Sequence, residues 1–190
     1  KNKDSGVGRS SFSARIVPHD GRWIDFEFDS KDILHVRIDR KKKFLVTVLL
    51  KALGYGEREI MHYFYPIETI HVDPKGMSKN VNHEVLPYQR SSADIIDPGS
   101  KEELVKKGRR FVRNIIEKLK RANVERIPID PSELADKFAA DDIVDKKTGE
   151  VIVNFNELIT EPKLEQIKSA DVKEFRIFYI DNVSVVASLR

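Results

Sequence analysis

Four consecutive cations, Arg40, Lys41, Lys42 and Lys43, interrupt the run Val36 to Lys51, VRIDRKKKFLVTVLLK, and they limit what it can become. Before them, Val36 and Ile38 alternate with Arg37 and Asp39, the pattern of a strand with one buried face. The four cations cannot be buried without partners, so the chain must turn there at the surface, held by a folded support. The stretch Phe44 to Leu50 then becomes apolar, and its local preferences conflict. Phe, Val and Thr favour a strand, whereas Leu49-Leu50-Lys51-Ala52-Leu53 before Gly54 reads as a helix closing on its cap. A short helix is the expectation.

The residues before the basic corner supply that support. Ser11 to Val17 alternates loosely, and Pro18-His19-Asp20-Gly21 is a turn signal. Trp23 to Phe28, WIDFEF, alternates clearly, with Ile24, Phe26 and Phe28 on one face and Trp23, Asp25 and Glu27 on the other. The two runs predict a hairpin. Asp29-Ser30-Lys31-Asp32 makes the next turn, and Ile33 to Ile38 returns as a third strand. Trp23 stands on the polar face beside a turn. It either covers a rim of the core or offers a stacking platform for a base, which aromatic rings supply at about 1–3 kcal/mol per base.

Glu57 to Tyr65 predicts a second helix, with Gly56 as cap and Pro66 as stop. Two helices joined at Gly54-Tyr55-Gly56 resemble a helix-turn-helix only weakly. The second carries few basic residues, so a DNA-reading role is not expected of it. Residues 73–100 are rich in Pro, Gly, Asn and Ser without a sustained period, and read as a crossing with one or two short strands.

Beyond it lies a faint repeat: Leu119 to Val124 matches Ile167 to Val172 at an offset of 48, each a helix end followed by a strand. The first helix, near Phe111 to Lys120, carries Ile115, Ile116 and Leu119 on one stripe, and Leu164 and Ile167 do the same in the second. Asn123 and Asp171 suit the turning residue after each helix. Asp130 caps a short helix begun by Pro131, and Asp145 to Gly149 is a hairpin turn. The fold class is therefore mixed α+β: antiparallel hairpins with short helices, plus a second, small, pseudo-symmetric α+β module.

Composition narrows the function. The 190 residues are 40% hydrophobic and 34% charged, with a net formal charge of only +3, enough for a fair core and far from a polybasic tail. Residues 1–70 hold 13 Lys and Arg against 10 Asp and Glu, so the whole excess lies there. The absence of cysteine excludes disulfide scaffolds and thiolate metal sites, and fits a reducing compartment. No apolar run approaches the roughly 18 residues of a membrane span. The start, KNKDSGVGRSS, lacks the apolar segment of a signal peptide and reads as a cut or flexible edge.

No catalytic constellation emerges. Asp25, Glu27 and Asp29 are spaced as metal ligands can be, but a solvated face opposite Ile24, Phe26 and Phe28 accounts for them. His19, His35, His62, His71 and His83 form no zinc-binding spacing, and there is neither a phosphate loop nor a nucleophile elbow. A self-contained enzyme is not expected, and neither catalytic nor metal residues are assigned. The basic corner has two readings, a solvated turn and a phosphate-binding rim of long cationic side chains on a rigid neighbour. The Gly108-Arg109-Arg110 run has a weaker claim, since Glu102 and Glu103 offset it.

At this point the chain resembles a known family. The stretch FSARIVPHDGRWIDFEFDSKDILHVRIDRKKK, residues 12–43, is similar to the lobe, or second domain, of the bacterial DNA-directed RNA polymerase beta subunit. The later KALGY and KKGRRF stretches resemble the same subunit, the second within a lobe insertion often called its external module. Three departures stand out. Leu45 replaces the proline usual at the helix start, Asp20 and Arg22 flank Gly21 where Arg and Ser are frequent, and Lys41 and Lys42 replace arginines, which keeps charge but loses the guanidinium fork.

The resemblance implies a nucleotidyltransferase that copies DNA into RNA with two Mg2+ ions, whose catalytic groups lie in other parts of the assembly. No cofactor is expected in this piece, and by itself it is expected to be inactive. Trp23 aligns with a family tryptophan that stacks on a non-template base next to the downstream duplex. Arg37, Arg40, Lys41, Lys42 and Lys43 carry over as candidates for DNA-backbone or intersubunit contacts. The implied partners are the alpha, beta prime, omega and sigma subunits and DNA, in the cytoplasm and without a membrane. The implied domains are the first part of the lobe over 1–70, a crossing segment over 71–100, the inserted module over 101–182 and a return toward the lobe over 183–190. The competing reading is a protein-interaction or purely structural module of the polymerase without direct DNA contact.

Overall fold

The computed structural model describes residues 3–5, 9–31, 33–74 and 76–180; the return segment expected over 183–190 lies outside them. The described residues fall into two compact units, one within Lys1–Phe64 and one spanning Tyr65–Ile180. Among the described residues the architecture is mixed α+β, with antiparallel sheets and four short α-helices.

The first unit opens with a small hairpin of β1 (Lys3–Ser5) and β2 (Arg9–Ser11). It then builds a four-stranded antiparallel sheet from β3 (Ser13–Ile16), β4 (Ile24–Phe28), β5 (Leu34–Ile38) and β6 (Phe44–Leu45), in sequence order. The register gathers like residues into rows. Ala14, Phe26, Val36 and Phe44 lie opposite one another across the four strands, next to the row Ile16, Ile24 and Ile38. Strand side chains alternate between faces, so the intervening row, Arg15, Asp25 and Arg37, stands on the other side.

Phe44 and Leu45 join the sheet before the helix begins, so the conflict between strand and helix preference resolves in sequence: β6, then α1 (Val46–Ala52). Leu45 takes φ −65° at the cap, the torsion a proline would impose. The helix ends in a Schellman motif: Gly54 at φ +98° donates its N–H to Lys51 O (3.0 Å), and Tyr55 N–H goes to Leu50 O (3.1 Å). In α2 (Glu57–Phe64), Glu59 reaches back to accept from the Gly56 N–H at 2.7 Å, half of a capping box.

The second unit is a duplication far more extensive than the six matching residues suggested. Its central hairpin, β7 (Ile67–Asp73) and β8 (Gly76–Asn80), is flanked by β14 (Glu174–Phe178) on β7 and β11 (Arg126–Ile129) on β8. Each outer strand follows a helix and a small hairpin. In the first copy these are β9 (Ile95–Ile96) with β10 (Glu103–Val105) and α3 (Arg113–Arg121); in the second, β12 (Ile143–Val144) with β13 (Val151–Val153) and α4 (Glu161–Ser169). Corresponding elements lie 48 positions apart. The hydrogen bonds follow: Asp97 N–H to Glu102 O becomes Asp145 N–H to Glu150 O, and Phe111 N–H to Gln89 O becomes Ile159 N–H to Lys137 O.

The cores repeat as well. Leu86, Ile95, Val105, Phe111, Ile116, Leu119 and Ile127 form one buried cluster, and each has its counterpart 48 residues on in the other cluster. Phe111 matches Ile159 while Ile127 matches Phe175, so a bulky ring moves between positions without changing which faces are apolar. The turns differ in residue but keep the torsion: Gly108 has φ +78° and its counterpart Asn156 has φ +60°. After the helices the copies diverge. Asn123 turns at φ +50° as expected of it, whereas α4 ends on Ala170 in extended conformation.

The entering and leaving strands of this unit are neighbours. Ile67 lies opposite Phe178, and Tyr179 N–H donates to Pro66 O at 2.8 Å. The β7–β8 hairpin at the centre includes part of the stretch read from sequence as a crossing with short strands. Its polar look has a physical cause: Lys79 is buried on β8, where its ammonium donates to Glu68 Oε1 at 3.0 Å and to Gln89 Oε1. A lysine facing inward breaks the alternation by which a strand is recognised.

Candidate nucleic-acid interface

The row Arg15, Asp25 and Arg37 sets alternating charges side by side across β3, β4 and β5. Arg15 Nε donates to Asp25 Oδ1, and Arg37 Nη2 donates diagonally to Glu27 Oε1 at 3.0 Å. Cross-strand pairs of this kind lock side-chain direction more than they stabilise. The hydrogen bond from Arg15 holds the Asp25 carboxyl below the usual carboxylate range, with added pull from the charges of Arg15, Arg40 and Arg37. The same bond raises the Arg15 guanidinium above its ordinary value.

Trp23 immediately precedes β4 and shares the face of Asp25 and Glu27 by alternation. It is 38% exposed. Its carbonyl accepts the Asp39 N–H at 2.8 Å, which ties the start of β4 to the end of β5. There the chain reverses. Asp39 and Arg40 have φ +53° and +58°, and Lys41 N–H donates to Ile38 O at 3.1 Å, the pattern of a tight type I′ turn. Asp tolerates this torsion; for Arg40 the left-handed region costs about 1–2 kcal/mol. The turn sets Arg40, and the β3–β4 register sets Arg15, beside the same indole. The Arg15 and Arg40 guanidinium carbons lie 5.1 and 5.2 Å from the Trp23 ring centroid, both within cation–π range.

The six residues expected from sequence thus separate. Trp23 and Arg40 come together. Arg37 is drawn into its pair with Glu27, its side chain 37% exposed. Lys41, Lys42 and Lys43 are exposed, and among the described residues none of their ammonium groups has an ion-pair partner. The carboxylates spaced like metal ligands are all engaged: Asp25 with Arg15, Glu27 with Arg37, and Asp29 as acceptor for the Lys31 and Ile33 N–H groups at 2.8 and 2.9 Å. Those backbone bonds, Ile33 first, lower the Asp29 carboxyl.

Sequence reasoning missed Arg15. The signal for it was the hairpin itself, because pairing β3 with β4 places Arg15 opposite Asp25, two residues from Trp23. No described helix is long and apolar enough to cross a membrane.

Comparison with known proteins gives a consistent result. The family model described as RNA polymerase Rpb2, domain 2, matches residues 1–144. The DNA-directed RNA polymerase subunit beta of Sorangium cellulosum is 44% identical over 191 residues, and that of Syntrophotalea carbinolica 45% over 190. The corresponding subunit of Myxococcus xanthus is 40% identical over 205 residues. Each alignment covers 100% of this chain and 14% of the relative, so the chain spans about one seventh of the length of these proteins.

Proposed function

Because the chain belongs to the RNA polymerase Rpb2 domain 2 family, as a piece of a bacterial beta subunit, we propose that its first unit forms part of the wall of the DNA channel. In this reading Trp23 stacks on an unpaired non-template base, and Arg40, Lys41, Lys42 and Lys43 neutralise nearby backbone phosphates. Arg37 supports them from the sheet. The observation that carries the reading is the convergence of a part-exposed indole and the cationic β5–β6 turn, linked by Arg40 over Trp23 at 5.2 Å. Single-strand binding sites use this combination, in which the ring accepts any base and the cations track the backbone.

The second unit is proposed as the inserted module of the lobe. Its adjacent entering and leaving strands support that, since a unit whose ends meet can be set into a host fold without separating the host's own strands. The charge balance beyond residue 70 gives it no electrostatic claim on DNA, so it is assigned to enlarging the lobe or to protein contacts within the polymerase. Among the described residues no group of three or more His, Asp or Glu side chains is placed to hold a metal ion. On the family resemblance, nucleotidyl transfer and its Mg2+ are assigned to other parts of an assembly with alpha, beta prime, omega and sigma subunits, acting in the cytoplasm.

The test is a polymerase assembled with Arg40, Lys41 and Lys42 all changed to Gln. If these groups neutralise single-stranded phosphates, the slope of log stability against log salt falls by roughly 0.7 for each phosphate released, about 2 in all. Open complexes with unchanged lifetime and unchanged salt slope would refute the backbone role.

A further inference from the structure

Two guanidinium groups lie over Trp23, and they are not equivalent. Arg15 is held on a strand: its Nε donates to Asp25 and its backbone is paired opposite Asp25 in the β3–β4 ladder. Arg40 sits at φ +58° in an exposed turn, and among the described residues its side chain has no hydrogen bond or ion pair. What holds its guanidinium is the indole, together with a through-space attraction to Asp25. Trp23 as a residue is 38% exposed, and a base approaching the part of the ring under Arg40 must displace that side chain.

We infer that Arg15 is a positioning residue that fixes the Trp23 indole, and that Arg40 is an exchangeable cover that a nucleotide displaces from the ring. This rests on the proposed stacking role of Trp23 and assigns the order of events at that site. Before binding, Arg40 occupies part of the ring and keeps it from water. When an unpaired nucleotide arrives, its base takes the place of the guanidinium over the indole. Arg40, still tethered by the turn, exchanges an aromatic face for the phosphate of the same strand. Arg15 stays, because leaving would strand the Asp25 carboxylate between β3 and β5 without its hydrogen-bond donor. An exposed cation–π contact weighs only about two- to fivefold in an equilibrium, which a phosphate contact can replace. The ligand is thus a single-stranded nucleotide read for the presence of a base, with its phosphate charge taken up in the same step.

The experiment uses assembled polymerase on a promoter carrying 2-aminopurine at the non-template position proposed to meet Trp23, and a matched promoter abasic there. Two quantities are read: quenching of the 2-aminopurine, and the ratio of open-complex lifetimes with base and without. Trp23→Ala is expected to abolish both signals. Arg15→Gln and the isosteric Asp25→Asn are each expected to lower the lifetime ratio about two- to fivefold while leaving the salt slope unchanged. Arg15→Lys, which keeps a cation without the fork, should recover part of the ratio. Arg40→Gln is expected to leave the ratio equal to or above wild type, while lowering the salt slope by roughly 0.7.

The outcomes separate the two claims. If Trp23→Ala leaves both signals at wild-type values, the stacking reading itself fails. If Trp23→Ala removes them but Arg15→Gln and Asp25→Asn do not change the ratio, Trp23 stacks without Arg15 and the positioning claim is overturned. A ratio that falls with Arg40→Gln overturns the cover. Trp23 is the sole tryptophan of the 190 residues. Its anisotropy decay in this chain therefore reports ring mobility directly, and it should quicken in Arg15→Gln with the far-ultraviolet spectrum unchanged. Unchanged decay would count against Arg15 as the residue that fixes the ring.

Discussion

Replacing Lys79 by Met should destabilise the second unit by about 3–5 kcal/mol, although it puts an apolar side chain into an apolar core. Lys79 and Glu68 are 8% and 6% exposed, 3.0 Å apart across the central hairpin. Gln89 completes the network, its Nε2 donating to Glu68 Oε1 at 2.8 Å and its Oε1 accepting from Lys79. Removing the ammonium leaves the Glu68 carboxylate buried with only an amide donor, and an uncompensated buried charge costs more than the pair contributes. The double variant Glu68→Leu, Lys79→Met removes both charges. It should lie between neutral and about 4 kcal/mol more stable than the parent. A loss of 3–5 kcal/mol is a large share of the 5–15 kcal/mol typical of a domain.

Amide hydrogen exchange is the suitable assay, because protection at Ile70 and Lys79 on β7 and β8 reports this unit alone, whatever the first unit does. A Lys79→Met cost below about 1 kcal/mol would refute the penalty assigned to the stranded carboxylate. So would a double variant as unstable as the two single changes added together.

Three further outcomes are expected. Gly108 and Asn156 hold the same left-handed torsion in the two copies, so Gly108→Asn should stay within about 1 kcal/mol of the parent while Gly108→Val costs about 1–2 kcal/mol more, read by exchange protection in α3. The Glu157 carboxyl is lowered from its ordinary value of 4.5 to about 2 by its hydrogen bond from Lys163, then by the Asn154 backbone and side-chain N–H groups. Its stabilising contribution is therefore complete above pH 4.5 and lost as pH falls toward 2, and Glu157→Gln should flatten stability against pH across that window in an acid titration. Gly149, at φ +75° with no atom within 4 Å of an added Cβ, should lose about 1–2 kcal/mol on change to Ala from torsion alone, seen as faster exchange in β12 and β13.

What the sequence disclosed depended on whether local pattern and tertiary environment agreed. The β3–β4–β5 sheet was legible because Ile24, Phe26, Phe28, Val36 and Ile38 alternate with charges that do reach the other face. The Asp130 cap and the Asp145 to Gly149 turn were legible because their hydrogen bonds are local: Ser132 N–H to Asp130 at 3.0 Å, and Gly149 N–H to Asp145 O at 2.8 Å. The central strand β8 was obscured by Lys79, whose partners lie 11 and 10 residues away. The duplication showed only at the helix ends, because the copies share burial and torsion and not residue identity; Phe111 and Ile159 look unrelated until both are found in cores. At the candidate site, Trp23 and the cationic turn were visible as residue types. Arg15 was not, since its importance comes from strand register, which residue spacing along one strand does not contain.

The central claim, that Trp23 meets an unpaired base in the polymerase, is tested most directly by open-complex lifetime on two promoters. One carries a normal base at the non-template position next to the downstream duplex, the other an abasic site. Stacking worth about 1–3 kcal/mol predicts that the wild-type enzyme holds the first promoter roughly 5- to 150-fold longer, and that Trp23→Ala brings the ratio close to one. A Trp23→Ala enzyme that keeps the wild-type ratio would contradict the claim.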